Sequence, residues 1–189
     1  RTTRAKKRLA CLGDSNTFRT GYRRELFALL GPEWESTGDF SNGPFAENRH
    51  SGIRGNGIAD CIGRVDDLID RCEPTHMFVH VGINDILSRT PDECIELYDV
   101  LYRKIVSAGV ELLAATNFHA SGEAYQEPLA LVNPRIALLA ADLASEGYAS
   151  ECVDIYSGYD PDWALDDHHL DARGNSFVAH VLAQRLRCG

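Results

Sequence analysis

The chain has 189 residues, 44% of them hydrophobic and 25% charged, a balance that sets it apart from disordered and fibrous proteins and fits one globular domain with a sizeable core. A net charge of −9 repels phosphate backbones, which argues against nucleic acid as the main partner and leaves a neutral small molecule as the better fit. The apolar runs Met77–Val81 and Leu112–Ala115 stop well short of the roughly 20 residues of a membrane span, and no basic-then-apolar leader precedes Leu9, so no membrane span is expected and the compartment stays open.

Positive charge gathers at the start, where Arg1, Arg4, Lys6, Lys7 and Arg8 fall close together. Residues 1–7 read as a solvated basic arm and residues 8–189 as a single domain. The six cysteines, Cys11, Cys61, Cys72, Cys94, Cys152 and Cys188, show no CxxC pair and no histidine at zinc-finger distance, so no metal is expected. Cys61 and Cys72 fall in a helical pattern, where a thiol serves as a small buried apolar group; disulfides in an exported protein are the rival reading, which the spacing leaves open.

In chain order, Arg8–Gly13 reads as a short buried strand. Tyr22, Leu26, Phe27, Leu29 and Leu30 then recur as an amphipathic helix closed by Gly31-Pro32. Glu33–Gly38 is a second strand, and residues 40–57, rich in Gly, Asn, Ser and Pro, read as one long loop of the kind that carries function. Ile58, Ile62, Val65, Leu68 and Ile69 keep helical spacing up to Cys72, and Pro74 forces the chain out before the buried strand Met77–Val81. Thr90-Pro91-Asp92-Glu93 is a capping box with proline at the first helical position, opening a helix to about Ala108. A strand over Val110–Thr116, a helix over Pro128–Ser145, a short strand over Ala149–Asp154 and a helix from Ala172 to Leu186 follow. Fully apolar strands between helices predict the α/β class: a three-layer αβα sandwich around a mostly parallel, flavodoxin-like sheet, with reactive groups at its carboxyl edge.

Four pieces of the sequence could carry chemistry. Ser15, in Gly13-Asp14-Ser15, stands where the first strand meets the first helix, a position that suits a nucleophile. Asp166-Asp167-His168-His169 precedes the last helix and supplies both an imidazole to take a serine proton and a carboxylate to fix its tautomer. Gly52 and Asn84, the latter in Gly82-Ile83-Asn84-Asp85 after a strand, offer a backbone N–H and a side-chain amide to a tetrahedral oxyanion. Taken singly, each has a plainer reading: a capping serine, a solvated Asp-His loop, a turn glycine, a strand-ending turn.

In this order and context the four pieces resemble the SGNH/GDSL hydrolases, and the resemblance spans nearly the whole chain. Gly13-Asp14-Ser15 matches the family's first block, Gly82-Ile83-Asn84-Asp85 is similar to its Gly-x-Asn-Asp, and Asp166-x-x-His169 matches its Asp-x-x-His. The resemblance implies an SGNH hydrolase fold with Ser15 as nucleophile, His169 as base and Asp166 orienting the base. It also implies an oxyanion hole of Ser15, Gly52 and Asn84. The doubled Asp and His allow two registers; the family's glycine five residues after the catalytic histidine falls on Gly174 and selects Asp166 and His169 over Asp167 and His168. Leu170 stands where the family commonly has proline.

Gly21-Tyr22-Arg23 and His50-Ser51-Gly52 are similar to the branch of carbohydrate esterases that removes acetyl groups from xylan and related glycans, with Ile53 in place of the aromatic residue often found there. Asp14, Asp85, Arg54 and His50 are read as neighbours of the site, Asp85 bracing Asn84 and Arg54 and His50 lining the pocket. The expected activity is hydrolysis of a small acyl ester on a carbohydrate through an acyl-enzyme, with no cofactor. A thioesterase or lysophospholipase using the same triad is one alternative, and a non-catalytic glycan-binding domain of the same fold is the other. Oligomeric state is left open.

Overall fold

The computed structural model describes residues 6–19, 21–41 and 49–188. Strand β1 (Lys7–Gly13) is central and buried on both sides. Its first half pairs in parallel with β2 (Trp34–Thr37), Lys7 opposite Trp34 through Ala10 opposite Thr37. On the same edge, its last two residues pair with β4 (Arg49–Gly52), Leu12 opposite Ser51 and Gly13 opposite Gly52. The other edge of β1 takes β5 (His76–His80), followed outward by β6 (Glu111–Ala115) and β7 (Ser150–Val153), all parallel. Only β3 (Phe40–Ser41), paired with β4, is antiparallel among the described strands. The succession β2-β1-β5-β6-β7 gives the flavodoxin-like order of a doubly wound sheet.

Alternate residues of each central strand enter opposite layers, which is why the strands read as unbroken apolar runs. Leu9, Cys11, Phe78 and Leu113 pack under α2 (Gly21–Leu30) and α7 (Ala172–Cys188) with Tyr22, Leu26, Val178 and Leu182. Ala10, Leu12, Met77, Val79 and Leu112 face the other way. They meet Ile58 of α3 (Ile58–Ile62), Leu68 of α4 (Val65–Cys72), Leu101 of α5 (Pro91–Ser107) and Leu143 of α6 (Glu123–Ser145). These leucines are fully buried, so truncating one of them to alanine costs about 2–5 kcal/mol. Among the described residues, no helix is long and apolar enough to cross a membrane.

Four expectations from the sequence are corrected here. The loop over residues 40–57 contains β3 and β4: His50, Ser51 and Gly52 are buried against β1 although their polarity resembles a loop; residues 42–48 of that stretch lie outside the described residues. The helix ending at Cys72 is two helices, broken at Gly63-Arg64. The segment after β1 also holds a separate four-residue helix, α1 (Ser15–Phe18), before α2. Helix α6 starts at Glu123 and runs through Pro128 and Pro134. Proline removes an internal helical hydrogen bond, but Asn133 beside it clamps the main chain of Asn117 in both directions, at 2.8 and 2.9 Å, and that tertiary attachment outweighs local preference.

The capping box at Thr90 forms as read, with Thr90 Oγ1 accepting the Glu93 N–H at 3.2 Å and the Glu93 carboxylate accepting the Thr90 N–H at 2.7 Å. Residues 1–5 of the basic arm lie outside the described residues, and Lys7 is already in β1, its ammonium 4.8 Å from the ring centre of Trp34. Cys11, Cys61, Cys72, Cys94 and Cys152 are free thiols; burial pushes those of Cys11, Cys94 and Cys152 up to about 11 and that of Cys61 to about 12, so these four remain protonated packing groups. The side chain of Cys188 lies outside the described residues.

Candidate active site

The site starts from a glycine. A side chain at Gly13 would stand 2.1 Å from the His80 carbonyl oxygen and 2.5 Å from Thr17 Oγ1, so its absence lets β5 and α1 close on the end of β1 together. Asp14 then caps α1, its Oδ1 accepting the Asn16 N–H at 2.9 Å. Burial raises the Asp14 carboxyl to about 7 against the pull of the Asn16 bonds, with the nearby Asp85 charge adding to the rise. Ser15 follows as the first residue of the helix, where no acceptor within the helix takes its N–H.

Ser15 Oγ lies 2.9 Å from His169 Nε2, across 154 residues of chain. On the far side of the ring, His169 Nδ1 lies 2.9 and 2.8 Å from the two carboxylate oxygens of Asp166. A carboxylate only accepts, so Nδ1 carries the proton and Nε2 is left to accept from the serine hydroxyl. Partial burial works against ionisation of Asp166, but the His168 N–H at 3.1 Å and the hydrogen bond from His169 outweigh it and hold this carboxyl below its ordinary range. The structure therefore brings hydroxyl, imidazole and carboxylate into one series.

The loop that carries His169 is pinned from several directions. Asn16 Nδ2 donates to the His168 carbonyl at 3.2 Å, and Asn16 Oδ1 accepts the Leu170 N–H at 3.1 Å. Ser121 Oγ donates to the Asp166 carbonyl at 3.1 Å, and the Tyr125 hydroxyl sits 3.4 Å from His168 Nδ1. The Leu170 side chain is buried in the core under α2 and α7, which anchors the loop without proline. Gly174 allows α7 to approach: a side chain there would stand 2.5 Å from the Tyr159 hydroxyl oxygen and 2.7 Å from the Trp163 carbonyl oxygen.

Gly52 is held beside α1, where a Cβ would stand 2.4 Å from the Phe18 amide nitrogen. Its N–H donates to His50 Nδ1 at 3.0 Å, so in this structure that donor is engaged. His50 is buried and neutral, held down to about 4 by burial and by the charges of Arg23 and Arg64; its Nε2 has no hydrogen-bond partner among the described residues. Asn84 Nδ2 donates to the Asn56 carbonyl at 2.9 Å, which fixes the amide plane and leaves its second N–H. Asp85 does not brace Asn84 directly: its carboxylate accepts the Ile58 N–H at 2.9 Å and Arg89 Nε at 3.1 Å, tying the turn after β5 to the start of α3. Arg54 is exposed, with its guanidinium 4.7 Å over the Phe18 ring.

Asn16, Asn56 and Arg64 have contacts that the sequence reading did not assign. Asn and Arg are common polar residues, and no spacing marks a side chain whose partners lie on other elements. Among the described residues, the grouping with metal-ligand spacing is Asp166, His168 and His169, whose candidate ligand atoms lie within 4.8 Å of one another. Two of these three already share a proton, which a cation there would have to displace.

The profile of the GDSL-like Lipase/Acylhydrolase family matches residues 11–177, and the chain belongs to that family of ester hydrolases. No curated sequence matches it. Its fold is similar to that of a carbohydrate esterase family 3 protein from Talaromyces cellulolyticus, with a TM-score of 0.87 at 18% identity over 96% of this chain and 97% of that one. A Clostridium thermocellum family 3 carbohydrate esterase gives 0.80 at 21% identity, covering 97% and 100%. The acetyl xylan esterase AlAXEase gives 0.76 at 19% identity, covering 95% and 99%. At these identities the likeness is one of fold.

Proposed function

We propose that the chain is a serine esterase that removes small acyl groups, acetyl foremost, from carbohydrate, with Ser15, His169 and Asp166 as its triad. The observation that carries this reading is the unbroken series from Ser15 Oγ through the two His169 nitrogens to Asp166. His169 Nε2 takes the Ser15 proton as Oγ attacks the ester carbonyl. The C–O bond to the sugar then breaks, with the same proton passing to the leaving oxygen. Water repeats the sequence on the acyl-serine, releasing the acid and restoring the hydroxyl.

The oxyanion formed in each half is held by the Ser15 N–H and the free N–H of the Asn84 amide, with Gly52 sharing its N–H between His50 and the oxyanion; one such donor is worth about 10²–10³ in rate. Acetylated glycans are favoured as substrate by the carbohydrate esterases and acetyl xylan esterase among the fold's neighbours and by the net charge of −9, which suits an uncharged substrate. The test is acetate release from acetylated xylan and acetylated sugars by wild type and Ser15→Ala. Release by the wild type alone supports the reading; equal release by both removes Ser15 from the mechanism.

A further inference from the structure

Arg64 stands at the break between α3 and α4, and its guanidinium turns back toward the sheet. Nε donates to Asn56 Oδ1 at 3.1 Å, and Nη2 donates to the Gly13 carbonyl at 3.2 Å and lies 3.6 Å from Cys61 Sγ. Nη1 is buried with no hydrogen-bond partner among the described residues. A buried donor on a charged group is costly to leave unpaired, and its retention calls for a reason.

The partners of Arg64 are the supports of the site. Gly13 lies two residues ahead of Ser15, and its carbonyl also accepts the Ile53 N–H at 3.1 Å, next to Gly52. Asn56, which the guanidinium grips by its side chain, is the residue whose own carbonyl takes the Asn84 amide at 2.9 Å. One planar cation thus joins the end of β1, the turn after β4 and, through Asn56, the turn after β5. Arg64 is the N-cap residue of α4, in the break between the two helices, with non-helical backbone.

We infer that Arg64 is a positioning residue for the oxyanion-binding groups, holding the Asn84 amide through Asn56 and the backbone ahead of Ser15 through the Gly13 carbonyl. This rests on the hydrolase reading given above. Donors set in place before reaction need no rearrangement as the oxyanion forms, and a displacement of about 1 Å at such a site costs on the order of 10²-fold. Lysine keeps the charge but not the fork that spans two acceptors.

The experiment is steady-state hydrolysis of a short-chain aryl ester by Arg64→Met, Arg64→Lys, Asn56→Ala and Asn84→Ala and by the Arg64→Met/Asn84→Ala pair, with circular dichroism to show that each folds. Arg64→Met is expected to lower kcat roughly 10- to 100-fold with KM within about twofold, and Arg64→Lys to fall between it and wild type; in Arg64→Ala, assayed alongside them, millimolar guanidinium is expected to restore part of the lost kcat. Asn56→Ala, which keeps the backbone carbonyl but releases Arg64, is expected to show the same selective fall, and it carries the test if the Arg64 variants do not fold. In the Asn84→Ala background, Arg64→Met should cost less than it does in the wild type, because only the route through the Gly13 carbonyl is left to lose. Unchanged kcat in Arg64→Met and Asn56→Ala, or losses that multiply fully in the pair, overturns the inference. A wild type without Ser15-dependent turnover overturns the hydrolase reading and this inference with it, whereas an active wild type with equally active Arg64 variants overturns this inference alone.

Discussion

Asn16 straddles His169: its amide nitrogen donates to the carbonyl of the residue before the imidazole, and its amide oxygen accepts the N–H of the residue after it. A side chain one position from Ser15 therefore holds the loop of His169, so hydroxyl and imidazole are registered to each other through a single amide. Asn16 is buried, and Asn16→Leu leaves a carbonyl and an N–H of that loop without their partner. The expected result is a fall in kcat of about 10- to 100-fold and a loss of about 1–3 kcal/mol of stability, read by ester hydrolysis and urea unfolding. Wild-type values of both would show that the loop is held without it.

Asp166 fixes the tautomer that lets His169 accept from Ser15. Asn in its place can donate to Nδ1 and so hold the ring in the wrong tautomer. Asp166→Asn is expected to lower kcat by roughly 10²–10⁴ while the circular dichroism spectrum stays unchanged. The carboxylate is half exposed, so the smaller end of that range is the one to anticipate; a loss below about threefold would exclude an orienting role.

Gly52 has backbone, not side chains, against the place where a Cβ would stand. Gly52→Ala must push α1 away from β4, moving Ser15 with it. Both activity and melting temperature should fall, kcat by at least about 10²-fold. A variant that keeps full turnover would mean that α1 can shift without disturbing Ser15.

Stability should change with pH through three buried groups. Burial holds His50 and His80 down to about 4, His50 with the help of Arg23 and Arg64, against about 6.5 in an unfolded chain. Between those values the unfolded chain binds more protons, so the stability contributed by each is complete above about 6.5 and is lost as pH falls toward 4. Asp14 has the opposite sign: raised by burial to about 7, its contribution is complete below about 4 and is lost as pH rises through 7. Thermal melts should therefore show the protein losing stability from pH 6.5 to 4.5. Asp14→Asn should gain on the wild type as pH rises from 5 to 8, and a gap between the two that is constant across that range would show that Asp14 is not forced to ionise in a buried site.

Much of this arrangement is legible in the sequence because it depends on local patterns. The apolar run of β1, the capping box at Thr90 and the doubled Asp-His before α7 each announce themselves within a few residues. β4 does not: it pairs only through Ser51 and Gly52 with β1, and its polar residues are buried by contacts to α1 and β3 that no periodicity encodes. Apolar spacing continues straight through Gly63-Arg64, so the break after α3 is equally silent. Asp85 looks like a partner for its neighbour Asn84, yet its carboxylate serves Ile58, 27 residues back. Side chains that join distant elements, Asn16 and Arg64 above all, become visible only when the sheet brings those elements together.

The most direct measurement is mass spectrometry of the protein after brief exposure to a fluorophosphonate, which bonds to a serine hydroxyl only when a neighbouring base has activated it. The expected result is one adduct per chain, on the peptide bearing Ser15, absent in Ser15→Ala and nearly absent in His169→Ala. An unlabelled wild-type Ser15, or equal labelling with and without His169, would contradict a serine nucleophile driven by that histidine.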